Sequence, residues 1–115
     1  MRDLIYRPPC DAHGEFAEWL NALRNQSGAY IIRSRHTRKI FYVGESHTGN
    51  LAKTLKRHFY AWRDDPERIH HTYDRRAVEI AVRVTPPPAA VGAQDNLIRR
   101  LEPRDNGYTP VEKPF

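Results

Sequence analysis

The stretch Gly28–Gly44 reads GAYIIRSRHTRKIFYVG and contains two short apolar runs separated by a polar, basic connection. Each run carries one tyrosine, Tyr30 in the first and Tyr42 in the second, and each has a glycine close to that tyrosine. Two short apolar runs joined by a few polar residues are typical of a β-hairpin. The stretch therefore predicts two antiparallel strands, each carrying one of the two tyrosines.

Length and composition limit the class of protein. A chain of 115 residues predicts one compact domain. No apolar run is long enough to span a bilayer, and the first residues lack the apolar core of a signal peptide. We therefore expect a soluble, cytoplasmic protein that makes no membrane contact. The single cysteine, Cys10, excludes an intramolecular disulfide and a zinc site built on paired cysteines.

The charge of the chain favours a polyanionic partner. The formal net charge is +5, and the segment from Tyr30 to Arg63 holds eight Lys or Arg against one acid, Glu45. A basic segment beside the paired tyrosines favours contacts with nucleic-acid phosphates, although a basic surface without such a partner is the alternative. The candidate DNA-binding side chains are Arg33, Arg35, Arg38, Lys39, Lys53 and Lys56.

The two ends of the chain have different patterns. Residues 1–10 contain two prolines and no clear period, which predicts an extended arm, and residues 108–115 predict a surface tail. Asp11 can accept hydrogen bonds from the free amides of a first helical turn. Apolar residues then recur at helical spacing, which predicts an N-terminal helix over residues 11–27.

Three further elements follow the hairpin. A helix begins near Thr48 or Asn50, and its apolar face recurs at spacings of three and four residues. That face consists of Leu51, Leu55, Phe59 and Trp62. Residues 78–84 alternate between apolar and other side chains, which predicts a strand with one buried face. A last helix begins near Ala89 or Ala90 and ends at Pro103.

The motifs Gly28-Ala29-Tyr30 and Tyr42-Val43-Gly44, followed by a basic helix, resemble the signature of the GIY-YIG nuclease superfamily. The segment from Gln94 to Asn106 is similar to the closing motif of that family, in which Glu precedes Leu-Ile, Pro and Asn. The resemblance covers residues 28–107. It implies an α/β (α+β) fold with a small three-stranded antiparallel sheet flanked by helices, here with an extra N-terminal helix in a domain spanning residues 11–107.

The resemblance implies metal-dependent hydrolysis of DNA phosphodiester bonds. Tyr30 and Tyr42 would lie at the centre of the sheet, where one of them helps to activate the attacking water. A phenol has a pKa of about 10, so a nearby cation must favour its ionised form.

The family has an arginine four residues before the helix histidine. In this chain the histidine is His58, so Thr54 holds the position of that arginine. Arg57 lies three residues further on and could occupy the site because the loop after Gly44 is longer than usual, so we assign the phosphate clamp to Arg57. His58 either donates a proton to the leaving group, contacts phosphate or packs in the core.

Gln94 occupies the position of the family's metal-binding glutamate. The expected cofactor is one Mg²⁺ or Mn²⁺ ion, but a neutral amide oxygen is a much poorer ligand for Mg²⁺ than a carboxylate. Three explanations remain open: Asp95 serves instead, the protein is a pseudonuclease that binds without cutting, or Gln94 is an engineered replacement of glutamate. Asn106 matches the family asparagine, which implies that it braces the site through hydrogen bonds.

Three functional hypotheses follow from these patterns. The first is a DNA endonuclease, the second a catalytically impaired nucleic-acid-binding module, and the third a structural or assembly protein with the same fold. A domain of this size would need dimerisation, its N-terminal helix or a partner protein to select a DNA sequence. His70 and His71 do not predict a metal site, since adjacent side chains point apart and no third ligand lies at a recognisable spacing.

Overall fold

The computed structural model describes residues 4–59 and 73–106. Its centre is a three-stranded antiparallel sheet in the order β2-β1-β3. The strands are β1 (Ser27–Ser34), β2 (Ile40–Ser46) and β3 (Val78–Thr85). The predicted α+β fold with a small three-stranded sheet is confirmed, because the hairpin and the later alternating segment supply these strands.

Two core clusters lie on opposite faces of the sheet. Side chains alternate along β1, so Tyr30 and Ile32 face one side while Ala29 and Ile31 face the other. The first side is covered by α1 (Glu18–Asn21) and α2 (Leu51–Arg57). The second side is covered by α3 (Ala90–Leu101), which a short 3-10 turn, Pro87–Ala89, precedes. The sheet therefore separates the tyrosine side from α3.

Gly44 is required by the packing of Tyr30. The two residues are directly opposite in the β1–β2 register, and a Cβ atom at position 44 would overlap the ring and hydroxyl of Tyr30. Gly28 is constrained by the other neighbour, since a Cβ there would overlap the carbonyl oxygen of Arg83 on β3. Both glycines of the hairpin motif thus permit close approach of neighbouring groups.

The predicted N-terminal helix over 11–27 is wrong in extent. Only Glu18–Asn21 is α-helical, and the preceding residues form a tight loop. The Asp11 carboxylate accepts hydrogen bonds from the backbone amides of His13 (2.8 Å) and Glu15 (3.1 Å). This side chain closes a loop, because the chain turns at Gly14, where φ is +82°.

Residues 4–10 extend the sheet. The amide of Arg7 donates to the carbonyl of Ile80 on β3 (2.9 Å), and the amide of Ile80 donates back (2.8 Å). The indole Nε1 of Trp19 donates to the carbonyl of Pro8 (2.9 Å), which ties the same segment to α1. The predicted extended arm is therefore packed against the edge of β3.

Some predictions lie outside the described residues. These are the continuation of the second helix to Trp62, the His70-His71 pair, Arg63 and the tail over residues 108–115. Within residues 4–59 and 73–106, no helix combines the length and apolar character needed to cross a membrane.

Candidate functional site

Tyr30 and His58 form a buried hydrogen-bonded pair. Tyr30 lies at the middle of the central strand, and His58 directly follows the last turn of α2. The phenolic oxygen of Tyr30 lies 2.7 Å from Nε2 of His58. Each residue is only 1% exposed. The hydrogen bond satisfies two polar groups that would otherwise be buried at considerable cost.

The environment of Tyr30 favours the neutral phenol. Burial, followed by the charges of Tyr42 and Glu45, raises the pKa of Tyr30 well above its usual value of 10.0. A phenolate at this position would require solvation that the surrounding core does not provide. In this arrangement Tyr30 holds His58 in place through the hydrogen bond and is not accessible to a substrate.

Tyr42 completes an aromatic cluster on the same face of the sheet. Its ring centroid lies 4.9 Å from that of His58 and 6.3 Å from that of Tyr30. Unlike the other two, Tyr42 is only partly buried. The structure therefore brings Tyr30, Tyr42 and His58 together, with Tyr42 on the solvent side.

Tyr73 belongs to this cluster although its sequence position gives no signal for it. Its ring lies 6.0 Å from the ring of His58, and its amide donates to the His58 carbonyl (2.7 Å). Its hydroxyl donates to the carboxylate of Asp105 (2.7 Å). Burial and this hydrogen bond raise the pKa of Tyr73. Tyr73 thus joins the cluster to the segment after α3.

Asp105 is already engaged by a cation. Arg104 donates to its two carboxylate oxygens through Nε (2.7 Å) and one terminal nitrogen (2.8 Å). The guanidinium of Arg104 also lies 4.1 Å from the ring centroid of Phe41, which stacks on Tyr73 at 5.8 Å. No local sequence pattern connects Asp105 with this cluster.

Asn106 is bonded to the backbone of β2 at both ends of its amide. The amide of Val43 donates to its Oδ1 (2.9 Å), and its Nδ2 donates to the Val43 carbonyl (2.8 Å). The amide of Asp105 similarly donates to the carbonyl of Phe41 (2.8 Å). These bonds hold the segment after α3 along the outer edge of β2, next to Tyr42.

The structure does not bring Arg57 to the tyrosines. Arg57 is exposed on the outer face of α2, which it shares with Lys53 one turn earlier. It makes no hydrogen bond or ring contact with the cluster among the described residues. Thr54 lies one turn before His58 on the same side of the helix, so this position carries no cation.

Gln94 lies on the opposite side of the sheet from the cluster. It belongs to α3, whose buried residues pack on the face of Ala29 and Ile31. Gln94 and the adjacent Asp95 are both partly exposed. Among residues 4–59 and 73–106, no group of three His, Cys, Asp or Glu could hold a metal ion. The neutral amide of Gln94, beside the single carboxylate of Asp95, is a poor set of ligands for the expected Mg²⁺ or Mn²⁺.

The predicted DNA-binding cations occupy different environments. Arg33 is partly buried, with Nε 3.1 Å from a carboxylate oxygen of Glu79 and the guanidinium 3.4 Å from the ring centroid of Tyr6. Three others, Arg35, Arg38 and Lys39, are exposed in the turn between β1 and β2. Lys53 is exposed on α2, and Lys56 is partly buried with Nζ 5.3 Å from the Phe16 ring. Among the predicted DNA-binding side chains, those in the turn between β1 and β2 and on α2 are therefore the ones accessible to a partner.

A comparison with protein-family models returned no match. A comparison with curated protein sequences also returned no match. The resemblance to GIY-YIG nucleases consequently depends on the sequence motifs and their order.

Proposed function

We propose that this chain is a nucleic-acid-binding domain, similar in fold to the GIY-YIG nucleases, that does not cut DNA with a metal ion. The observation that carries the proposal is a set of exposed cations that form no ion pair with an acid among the described residues. They are Arg35, Arg38, Lys39, Lys53 and Arg57. Unpaired exposed cations can neutralise phosphates and release condensed counterions, which supplies most of the affinity for nucleic acid.

The chemistry of three positions argues against metal-dependent cleavage. Tyr30 is buried and held neutral, so it cannot reach a water beside a substrate phosphate. Thr54 cannot supply the charge of an arginine clamp. Gln94 offers only a neutral amide oxygen and lies across the sheet from the tyrosines.

The second candidate function is a DNA endonuclease, and the Tyr30–His58 hydrogen bond favours it. At 2.7 Å, the imidazole Nε2 is within reach of the phenolic proton, as a general base requires. For catalysis, Tyr30 would have to be exposed to substrate and a carboxylate would have to be supplied at position 94. A cleavage assay with Gln94→Glu separates this candidate from the binding domain.

We expect the partner to be DNA, encountered in the cytoplasm. Sequence selection would come from a second copy of the chain or from a partner protein, since contacts of exposed cations with phosphates carry no sequence information. The rival structural role predicts no affinity for DNA even at low salt.

The test of the proposal is the salt dependence of DNA binding. We expect wild-type protein to bind duplex DNA with a steep negative slope of log K against log salt. The variant Arg35→Gln/Arg38→Gln/Lys39→Gln should flatten this slope by about 0.9 for each phosphate that it no longer neutralises. The matched control is Arg7→Gln/Arg99→Gln/Arg100→Gln, which removes three exposed charges outside the turn between β1 and β2 and should change the slope less. Absence of wild-type binding at low salt contradicts the proposal.

A further inference from the structure

A pocket lies beside the first turns of α2, away from the Tyr30–His58 pair. Its volume is about 340 Å³, and its lining includes Arg24 and Asn25 before β1 together with Asn50, Lys53 and Lys56. This volume is at the lower end of the range of about 300–1,000 Å³ that is typical of ligand pockets. Lys53 and Lys56 are three residues apart, so they project from the same side of the helix.

The walls of the pocket are fixed by hydrogen bonds to buried serines. The amide of Gly49 donates to Oγ of Ser27 (2.9 Å), and the amide of Asn50 donates to Oγ of Ser46 (3.1 Å). Ser27 and Ser46 are 4% and 5% exposed, respectively. The amide of Leu51 also donates to the carbonyl of Gln26 (3.1 Å). The loop before α2 is therefore held against the start of β1, and the pocket is preformed.

Among the residues that the structure describes, the lining carries three cationic side chains and no acid. Arg24, Lys53 and Lys56 form no ion pair with a carboxylate in the described parts of the chain. Asn25 and Asn50 add amide groups that can donate hydrogen bonds. Ammonium, guanidinium and amide donors around one cavity match the several acceptor oxygens of a phosphate group.

We propose that this pocket binds a phosphate group of a nucleic-acid strand. The inference rests on the proposed nucleic-acid binding and adds a defined phosphate position to it. A concave site with cations on two walls accommodates a phosphate that projects from the strand, either at its 5′ end or between two nucleotides. The exposed turn between β1 and β2, by contrast, offers charge without a cavity.

The test compares Arg24→Gln/Lys53→Gln with Arg7→Gln/Arg99→Gln, a control that removes two exposed charges outside the pocket. Fluorescence anisotropy would be measured with single-stranded oligonucleotides of about 12 nucleotides, a length typical of small binding domains. We expect the pocket variant to bind about tenfold more weakly than the control and to lower the salt slope by about 1. Circular dichroism checks that both variants remain folded.

The probes distinguish the source of the phosphate. Each oligonucleotide is measured with a 5′-phosphate and with a 5′-hydroxyl, and inorganic phosphate is added as a competitor. A preference for the 5′-phosphate that disappears in Arg24→Gln/Lys53→Gln assigns the pocket to a strand end. Equal weakening with both oligonucleotides assigns it to an internal phosphate. If wild type binds and the pocket variant matches its control, the inference is overturned while the proposed function stands. If wild type binds neither oligonucleotide, the inference is overturned, and the binding of duplex DNA decides the proposed function separately.

Discussion

At the scale of single residues, the paired tyrosine motifs have a packing explanation. Tyr30 lies across Gly44 on the neighbouring strand, and its hydroxyl reaches His58 beneath α2. The sequence predicted that the two tyrosines and the histidine belong together. It could not identify Tyr73 and Asp105, because their hydrogen bond joins residues 32 positions apart and no local pattern records it.

Replacement of Gly44 by alanine tests the packing of Tyr30. The added methyl group would overlap the tyrosine ring and hydroxyl, so Tyr30 or β2 must shift. We expect a loss of about 1–3 kcal/mol in the free energy of unfolding, measured by urea denaturation. The control is Gly92→Ala on the exposed side of α3, where nothing lies within 4 Å of the new methyl group. That change should stabilise the helix by about 0.5–1 kcal/mol. Equal effects of the two substitutions would contradict the packing of Tyr30 against Gly44.

At the scale of elements, hydrophobic periodicity located the strands and the last helix but not the extent of α1. The apolar positions Phe16, Trp19 and Leu20 do pack against the core, as helical spacing implies. However, the helix covers four residues only, because the Asp11 carboxylate closes a loop and Gly14 turns the chain before it. Spacing identifies which side chains face the core, whereas local hydrogen bonds decide where a helix begins.

Asn106 tests how the segment after α3 is held on β2. Asn106→Ala removes two hydrogen bonds and leaves the amide and carbonyl of Val43 without this partner. We expect a loss of about 1–3 kcal/mol in unfolding free energy, from equilibrium denaturation. Asn106→Asp retains an acceptor for the Val43 amide but places a carboxylate oxygen against the Val43 carbonyl, so it should not restore stability.

The control for this change is Asn96→Ala, since Asn96 is exposed on α3 and its side chain bonds only Arg99 within the described residues. We expect that control to remain within about 0.5 kcal/mol of wild type. Full stability of Asn106→Ala would refute the bracing role of this side chain.

At the scale of the whole molecule, charge and proton binding distinguish the folded from the unfolded chain. Burial raises the pKa values of Tyr6, Tyr30 and Tyr73 above the usual tyrosine value of 10.0. Above that pH the folded protein retains protons that the unfolded chain has released, so stability falls as pH rises. The contribution of these protonated tyrosines to the free energy of unfolding is fully present below the pKa of tyrosine in the unfolded chain. It is lost as pH rises through the pKa values of the three tyrosines in the folded protein.

The variant Tyr73→Phe isolates one of these groups. Stability would be measured by urea denaturation near pH 8 and near pH 11, on either side of the unperturbed tyrosine pKa of about 10. We expect wild type to lose more stability between the two pH values than Tyr73→Phe does, because the variant has no hydroxyl to ionise at this position. Equal losses would show that the hydroxyl of Tyr73 titrates normally in the folded protein.

The net charge and the family resemblance predicted a DNA-binding nuclease, and from the chemistry of the site we propose that the chain binds DNA without cutting it. Gln94 entered the predicted site because its position along the chain resembles that of the family glutamate. Arg57 was assigned to the site although it lies three residues beyond Thr54, which holds the position of the family arginine. In three dimensions Arg57 is on the outer face of α2, and Gln94 is on the far side of the sheet. Neither displacement is visible from spacing alone.

The most direct test incubates supercoiled plasmid with wild-type protein in Mg²⁺ or Mn²⁺ at low salt and follows both mobility and strand breaks on a gel. We expect wild-type protein to retard the plasmid and to leave it supercoiled after the protein is removed. Gln94→Glu, examined in parallel, should behave in the same way, because the new carboxylate would face away from the tyrosine cluster and Thr54 would still lack a charge. Nicked or linear plasmid with wild-type protein would contradict the account.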